Sequence, residues 1–147
     1  GMRILDVGCG KAFLLYEFTQ VVPGIEVVGI DISEYGIANA KEEVRPHLKV
    51  ESAQDLPFDD RSFDFVYSLA TLHNLKLPDL YRAVQEIARV GRGNDAYIMV
   101  ESYRNEREKV NLLYWQLTCE SFYSPDEWAW IYKTNGYTGD YGFIYFE

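Results

Sequence analysis

Asp6-Val7-Gly8-Cys9-Gly10 is the segment best suited to hold a ligand. It follows the apolar run Met2 to Leu5 and precedes Lys11 to Phe18, which reads as a helix. A strand that ends in a glycine-rich turn and opens a helix lets a ligand come close to the backbone and meet the helix's unpaired N–H groups. About 20 residues on, Asp31 closes a second apolar run, Val27 to Ile30, where a carboxylate can accept hydrogen bonds from the two hydroxyls of a ribose. Turn, helix and acid together imply an adenosine-containing ligand.

The detail of the loop narrows the choice. A dinucleotide fingerprint places its third glycine at position 13, and Phe13 stands there, so tight packing of helix on strand for a pyrophosphate is not supported. A P-loop is excluded as well, because no Gly-Lys-Ser or Gly-Lys-Thr follows and Lys11 has no hydroxyl neighbour to serve phosphate and magnesium.

What remains resembles the first motif of the class I S-adenosylmethionine-dependent methyltransferases, an acid-x-Gly-x-Gly-x-Gly loop that reads here from Asp6 to Ala12. Ala12 takes the place of the third glycine and is expected to have a negative φ, as a first helical turn would. Ser52-Ala53-Gln54-Asp55-Leu56-Pro57-Phe58 and then Ser62-Phe63-Asp64-Phe65-Val66-Tyr67-Ser68 are similar to the family's third and fourth motifs, in order and at the usual distances. The resemblance covers Arg3 to about Ser102.

This likeness implies methyl transfer from S-adenosylmethionine. It implies that Asp31 holds the ribose and Ile32 covers one face of the adenine, with Asp55 accepting from the adenine amino group and Leu56 flanking the ring. Backbone around Gly8, Gly10 and Leu69 would meet the methionine part, and Asp6, Cys9 and Gln54 complete the implied set. Taken singly, Asp6 and Asp55 would be read as caps of loop N–H groups. Their order along the chain is what assigns them.

A methyl acceptor that is a hydroxyl benefits from a base. His73, in Ala70-Thr71-Leu72-His73-Asn74-Leu75 just past the fourth strand, stands where an acceptor arrives and has an ordinary pKa near 6.5. The structural alternative is a ring packed beneath a lid and bonded to backbone, and Glu101 is a second candidate with the same ambiguity. The aromatic run Tyr114, Trp115, Phe122, Tyr123, Trp128, Trp130 and Tyr132 reads as core of two amphipathic helices, with some members free to line an acceptor pocket. The expected reaction is transfer to an oxygen or nitrogen of a small molecule. Two other functions stay open, a non-catalytic subunit of the same fold that binds cofactor or partner, and an oxidoreductase, which Phe13 and the Asp55 segment disfavour.

These residues need a scaffold, and the composition supplies one. A chain of 147 residues, 48% hydrophobic and 25% charged, fits one globular domain that buries about 68% of the surface its unfolded form exposes. A net charge of -9 argues against nucleic acid or an anionic membrane as partner, since both call for clustered Lys and Arg. The Arg104, Arg107, Lys109 patch is interrupted by Glu106 and Glu108 and reads as a solvated helix start. No apolar run reaches 18 residues and no basic leader precedes one, so neither a transmembrane helix nor a secretory signal is expected. Gly1 reads as a tag remnant, followed by Met2 as an initiator methionine or the start of the expressed segment. Two cysteines make no disulfide framework, Cys9 lies in the ligand loop, and His47 and His73 stand alone, so free thiols, a cytoplasmic setting and no metal site are expected.

Short apolar runs alternate with helical patterns, the sign of βαβ units and a doubly wound, Rossmann-like, mostly parallel α/β sheet. Strands are expected at Arg3 to Val7, Glu26 to Ile30, Leu48 to Ser52, Phe63 to Ser68 and Ala96 to Ser102. Helices are expected at Phe13 to Val21, Ser33 to Val44 and Leu80 to Val90, the last with Asp79 as N-cap. A helical, aromatic lid segment over 103–136 follows, with Glu106 to Cys119 helical and a capping box at Ser124-Pro125-Asp126-Glu127 opening a helix to about Asn135. Tyr141 to Phe146 makes a last strand. Relative to the resembled family, the fold is shortened at both ends, and the apolar last strand, lacking proline or lysine, is expected to pair with a second copy of the chain.

Overall fold

In the computed structural model, which describes residues 1–147, the apolar run at Arg3–Val7 forms β1, with Ile4, Leu5 and Val7 at most 1% exposed. It shows no in-out alternation because helices cover both of its faces, as befits a central parallel strand. The other strands are β2 (Glu26–Asp31), β3 (Leu48–Val50), β4 (Phe65–Leu69), β5 (Ala96–Ser102) and β6 (Asp140–Tyr145). They lie in the order β3-β2-β1-β4-β5-β6 with every pairing parallel. The strand order reverses between β1 and β4, which opens a crevice beyond the C-terminal ends of those strands.

Helices α1 (Phe13–Val21), α2 (Glu34–Ala38), α3 (Leu77–Val90), α4 (Glu106–Trp115) and α5 (Pro125–Thr134) complete the chain, with single 3₁₀ turns at Arg45–His47 and Leu72–Asn74. On one face of the sheet Leu80, Val84 and Ile87 of α3 and Trp128, Ile131 and Tyr132 of α5 pack on Leu5, Val7, Val66 and Ile98. On the other, Leu15 of α1 packs with Ile4, Val27, Val44 and Tyr67. Each such aliphatic side chain contributes about 1.5–3 kcal/mol by burial.

The expected bounds of β1, α1 and β5 match those observed. Three helices differ, for local reasons. The expected helix over Ser33 to Val44 is only the single turn and a half of α2, because Gly36 packs close to Gly10 and the Lys41 N–H turns back to the Lys11 carbonyl, pulling the chain off the helical path. Helix α3 starts at Leu77 after Lys76, so Asp79 is not the N-cap but a first-turn acid, and Pro78 is accommodated where its missing N–H has no partner to lose. Helix α4 ends at Trp115, since the Glu120 and Ser121 N–H groups are drawn to the His73 carbonyl instead. The capping box on α5 is present in full.

Candidate functional site

The loop after β1 is closed by its own backbone. Gly8 and Cys9 N–H both donate to the Ile30 carbonyl, at 2.8 and 2.9 Å, tying the turn to the end of β2. Gly8 sits at φ +86, and a Cβ there would fall 2.2 Å from the Thr71 Oγ1, so glycine is required both for conformation and for the approach of the segment after β4. Ala12 contradicts the expectation of a negative φ: it stands at φ +61, just before α1. A left-handed alanine costs about 1–2 kcal/mol, offset in part by complete burial of its methyl group against α1 and β2 neighbours.

Asp31 is the clasp of the site. Its Oδ2 accepts from Gly10 N–H at 2.8 Å and its Oδ1 from Ser33 N–H at 2.8 Å, so one carboxylate joins the glycine loop to the start of α2. Each oxygen keeps a second lone pair for another donor. Beside it opens a cavity of about 480 Å³, lined by Gly8, Ile30, Asp31 and Ile32, by Glu51 to Gln54, and by Ala70, Thr71, Asn74 and Leu75. That size suits a drug-sized ligand. Gly8, Asp31, Ile32 and Gln54 of the expected residues lie on its wall, and Gly10 braces it through Asp31.

Asp55 and Leu56 do not reach the wall. Asp55 is exposed, and Leu56 is 3% exposed within the core. The cause is α3: Glu86 accepts from Leu56 N–H at 2.9 Å while Arg89 donates to the Leu56 and Phe58 carbonyls at 2.9 and 2.7 Å, turning this stretch away from the cavity. Ala53 and Gln54 take that place. Leu69 likewise lies off the wall, and the next residues, Ala70 at φ +56 and Thr71, form it. No residue type announces a left-handed alanine, so the only signal for these two was their place at a strand's C-terminal end.

Asp6 lies beneath the loop, 5% exposed. Burial raises its carboxyl to about 7, the Asp31 charge adds to the rise and the Tyr67 hydroxyl opposes it. Cys9 is a buried thiol pushed up to about 12, first by burial and then by Asp6 and Asp31, so it packs and does not attack.

His73 was expected at the acceptor's entrance. It is 2% exposed and absent from the cavity wall. Its Nδ1 accepts from Glu101 N–H at 3.1 Å, which leaves the proton on Nε2, 3.5 Å from Glu101 Oε2. Burial lowers the ring's pKa to about 4, so the imidazole is neutral, and burial also raises the pKa of the Glu101 carboxyl it faces. A ring closed in this way is a strut between the end of β5 and the 3₁₀ turn that carries Asn74. Neither His73 nor Glu101 lines the cavity beside Asp31.

Residues 5–99 match the family described as the methyltransferase domain, a stretch that runs from β1 into β5 and holds every residue of the cavity. A sterol 24-C-methyltransferase of Gibberella zeae is 33% identical over 116 residues, 72% of this chain and 30% of that protein. A demethylmenaquinone methyltransferase of Bacillus cytotoxicus is 29% identical across 91% of this chain and 62% of its own. The chain thus spans from 30% to 62% of the length of these two relatives. Among solved structures, a chain of the complex between the Haloferax volcanii Trm112 methyltransferase activator and a methyltransferase superposes with a TM-score of 0.76 at 26% identity, covering 92% of this chain and 61% of that one. The Bacillus subtilis YcgJ protein shares the fold, with a TM-score of 0.75 at 23% identity over 91% of this chain and 61% of that one. With its motifs, its parallel sheet and this match in agreement, the chain belongs to the class I S-adenosylmethionine-dependent methyltransferases.

Proposed function

We propose that the cavity beside Asp31 takes S-adenosylmethionine, and that its methyl group passes to an oxygen or nitrogen of a small-molecule acceptor. The observation that carries this reading is the Asp31 carboxylate, fixed by two backbone N–H groups at the mouth of a cavity that lies at the topological switch point. The fit is favourable: Asp31 keeps lone pairs for ribose hydroxyls, Ile32 and Ala53 offer apolar contact for a base, and Gly8 lets Thr71 close against the loop to complete the wall. When bound, the cofactor supplies an electrophilic methyl group on a sulfonium. The chain's own task is to align the acceptor and exclude water. Thr71 and Asn74, on the wall next to Gly8, are the residues we assign to the acceptor's side.

Calorimetry tests the cofactor. S-adenosylhomocysteine should bind at a micromolar level and NAD should give no heat, whereas NAD binding without a response to S-adenosylhomocysteine would overturn the reading. A second reading, a subunit of this fold that binds a partner without turnover, draws support from the similarity to a chain of the Trm112 complex. Tight cofactor binding with no methylated product across a broad acceptor screen would favour it. We also propose a cytoplasmic setting, in which both buried cysteines stay thiols, and pairing of a second copy along β6, which light scattering should report as a dimer. No helix is long and apolar enough to cross a membrane.

A further inference from the structure

Between the start of α3 and the first two turns of α5 lies a second concavity of about 350 Å³. It shares no residue with the cavity beside Asp31, although Leu75 lines one and Leu77 the other. Tyr81 of α3, Tyr123 before the α5 cap and Trp130 within α5 form its aromatic walls, with Leu77 and Ile131 completing the apolar surface. Its charged lining is Asp126 and Glu127, with no Lys or Arg.

The fold anchors part of this surface and leaves the rest open: Ile131 belongs to the core and Tyr81 and Tyr123 pack against it, while Trp130 is 60% exposed and Leu77 is 43% exposed. Tyr123 is held edge-on by Trp128, with ring centroids 5.5 Å apart, so one wall is already fixed in place. Glu127 spends Oε1 on the Ser124 N–H at 2.9 Å and keeps its other oxygen for a further donor. The α5 N-terminus adds roughly half a positive charge, which two carboxylates outweigh. Aromatic faces attract large, weakly hydrated cations, whereas a hard metal ion needs several oxygen ligands at once.

We propose that this groove binds an organic cation, a methylated ammonium group seated against Tyr81, Tyr123 and Trp130 with Asp126 and Glu127 at its rim. The site is independent of the methyl-transfer reading and stands or falls without it.

The test titrates the full chain with choline and with 3,3-dimethyl-1-butanol, its uncharged carbon isostere, following the Trp130 side-chain N–H by NMR. Choline should saturate with a Kd of a few millimolar or tighter, and the isostere should bind at least about fivefold more weakly, the scale of a partly exposed cation–π contact. Trp130→Ala should weaken choline at least about fivefold, and so should Asp126→Asn combined with Glu127→Gln, in which glutamine retains the capping box. Circular dichroism should be unchanged in both variants. Equal binding of the isostere would make this a neutral apolar groove, and a choline signal that never saturates, or affinity unchanged in either variant, would overturn the proposal.

Discussion

Replacing Asp6 by asparagine should stabilise the folded chain by an amount that grows with pH. Burial is the largest cause of the rise of its carboxyl from 3.8 to about 7. A folded-state pKa above the unfolded value means that the folded chain keeps a proton the unfolded chain has released, so stability present at acid pH is lost as pH rises from about 4 to about 7. At about 1.4 kcal/mol per unit, a rise of some three units amounts to about 4 kcal/mol at pH 8. His73 runs the other way: burial lowers it from 6.5 to about 4, so its contribution is complete above 6.5 and is lost as pH falls toward 4. Glu101, raised by burial, sides with Asp6. Since His73 and Glu101 are common to both proteins, the difference between Asp6→Asn and the parent isolates Asp6. Urea unfolding at unit steps from pH 4 to pH 8 should show that difference climbing by about 4 kcal/mol, most of it below pH 7. A difference that stays constant across the range would show Asp6 to be an ordinary carboxylate and refute the reasoning.

Three other substitutions probe the site. Asp31→Ala should weaken S-adenosylhomocysteine by about 1.5–3 kcal/mol, the scale of lost charge-assisted hydrogen bonds, and unchanged affinity in calorimetry would reduce Asp31 to a clasp for Gly10 and Ser33. Gly8→Ala should cost about 3 kcal/mol or more, since strain at φ +86 adds to overlap with Thr71, while Gly10→Ala, with nothing within 4 Å of its Cβ, should cost about 1–2 kcal/mol. Equal losses in denaturant melts would contradict that division. His73→Ala should lower stability by about 2–4 kcal/mol by leaving a void and an unpaired Glu101 N–H, with S-adenosylhomocysteine affinity within threefold of the parent. Loss of turnover at undiminished stability would instead restore His73 as a base.

What could be read from the residues was whatever depends on near neighbours. The glycine turn, the acid at the end of β2 and the capping box of α5 are short-range devices, and all appear where their spacing puts them. What escaped depends on distant partners or on backbone angles. The resemblance sets Leu56 beside the adenine ring, yet Glu86 and Arg89 on α3 take its N–H and carbonyl and turn it into the core. His73 sits in the turn after β4, and the return of the chain at Glu120 and Ser121 onto its carbonyl and the Glu101 N–H on its ring close it off. Ala12 and Ala70 adopt positive φ without any mark in their residue type. The groove between α3 and α5 shows the same limit, since the aromatic run alone did not separate Trp128, which is buried, from Trp130, which is exposed.

The central claim, that the Asp31 cavity is the S-adenosylmethionine site, is tested most directly by a crystal structure of the chain with S-adenosylhomocysteine. The account predicts adenosine in the cavity of about 480 Å³, its ribose hydroxyls within hydrogen-bonding distance of Asp31 and its base beside Ala53 and Gln54. Ligand bound elsewhere, with Asp31 still bonded only to Gly10 and Ser33, would contradict it.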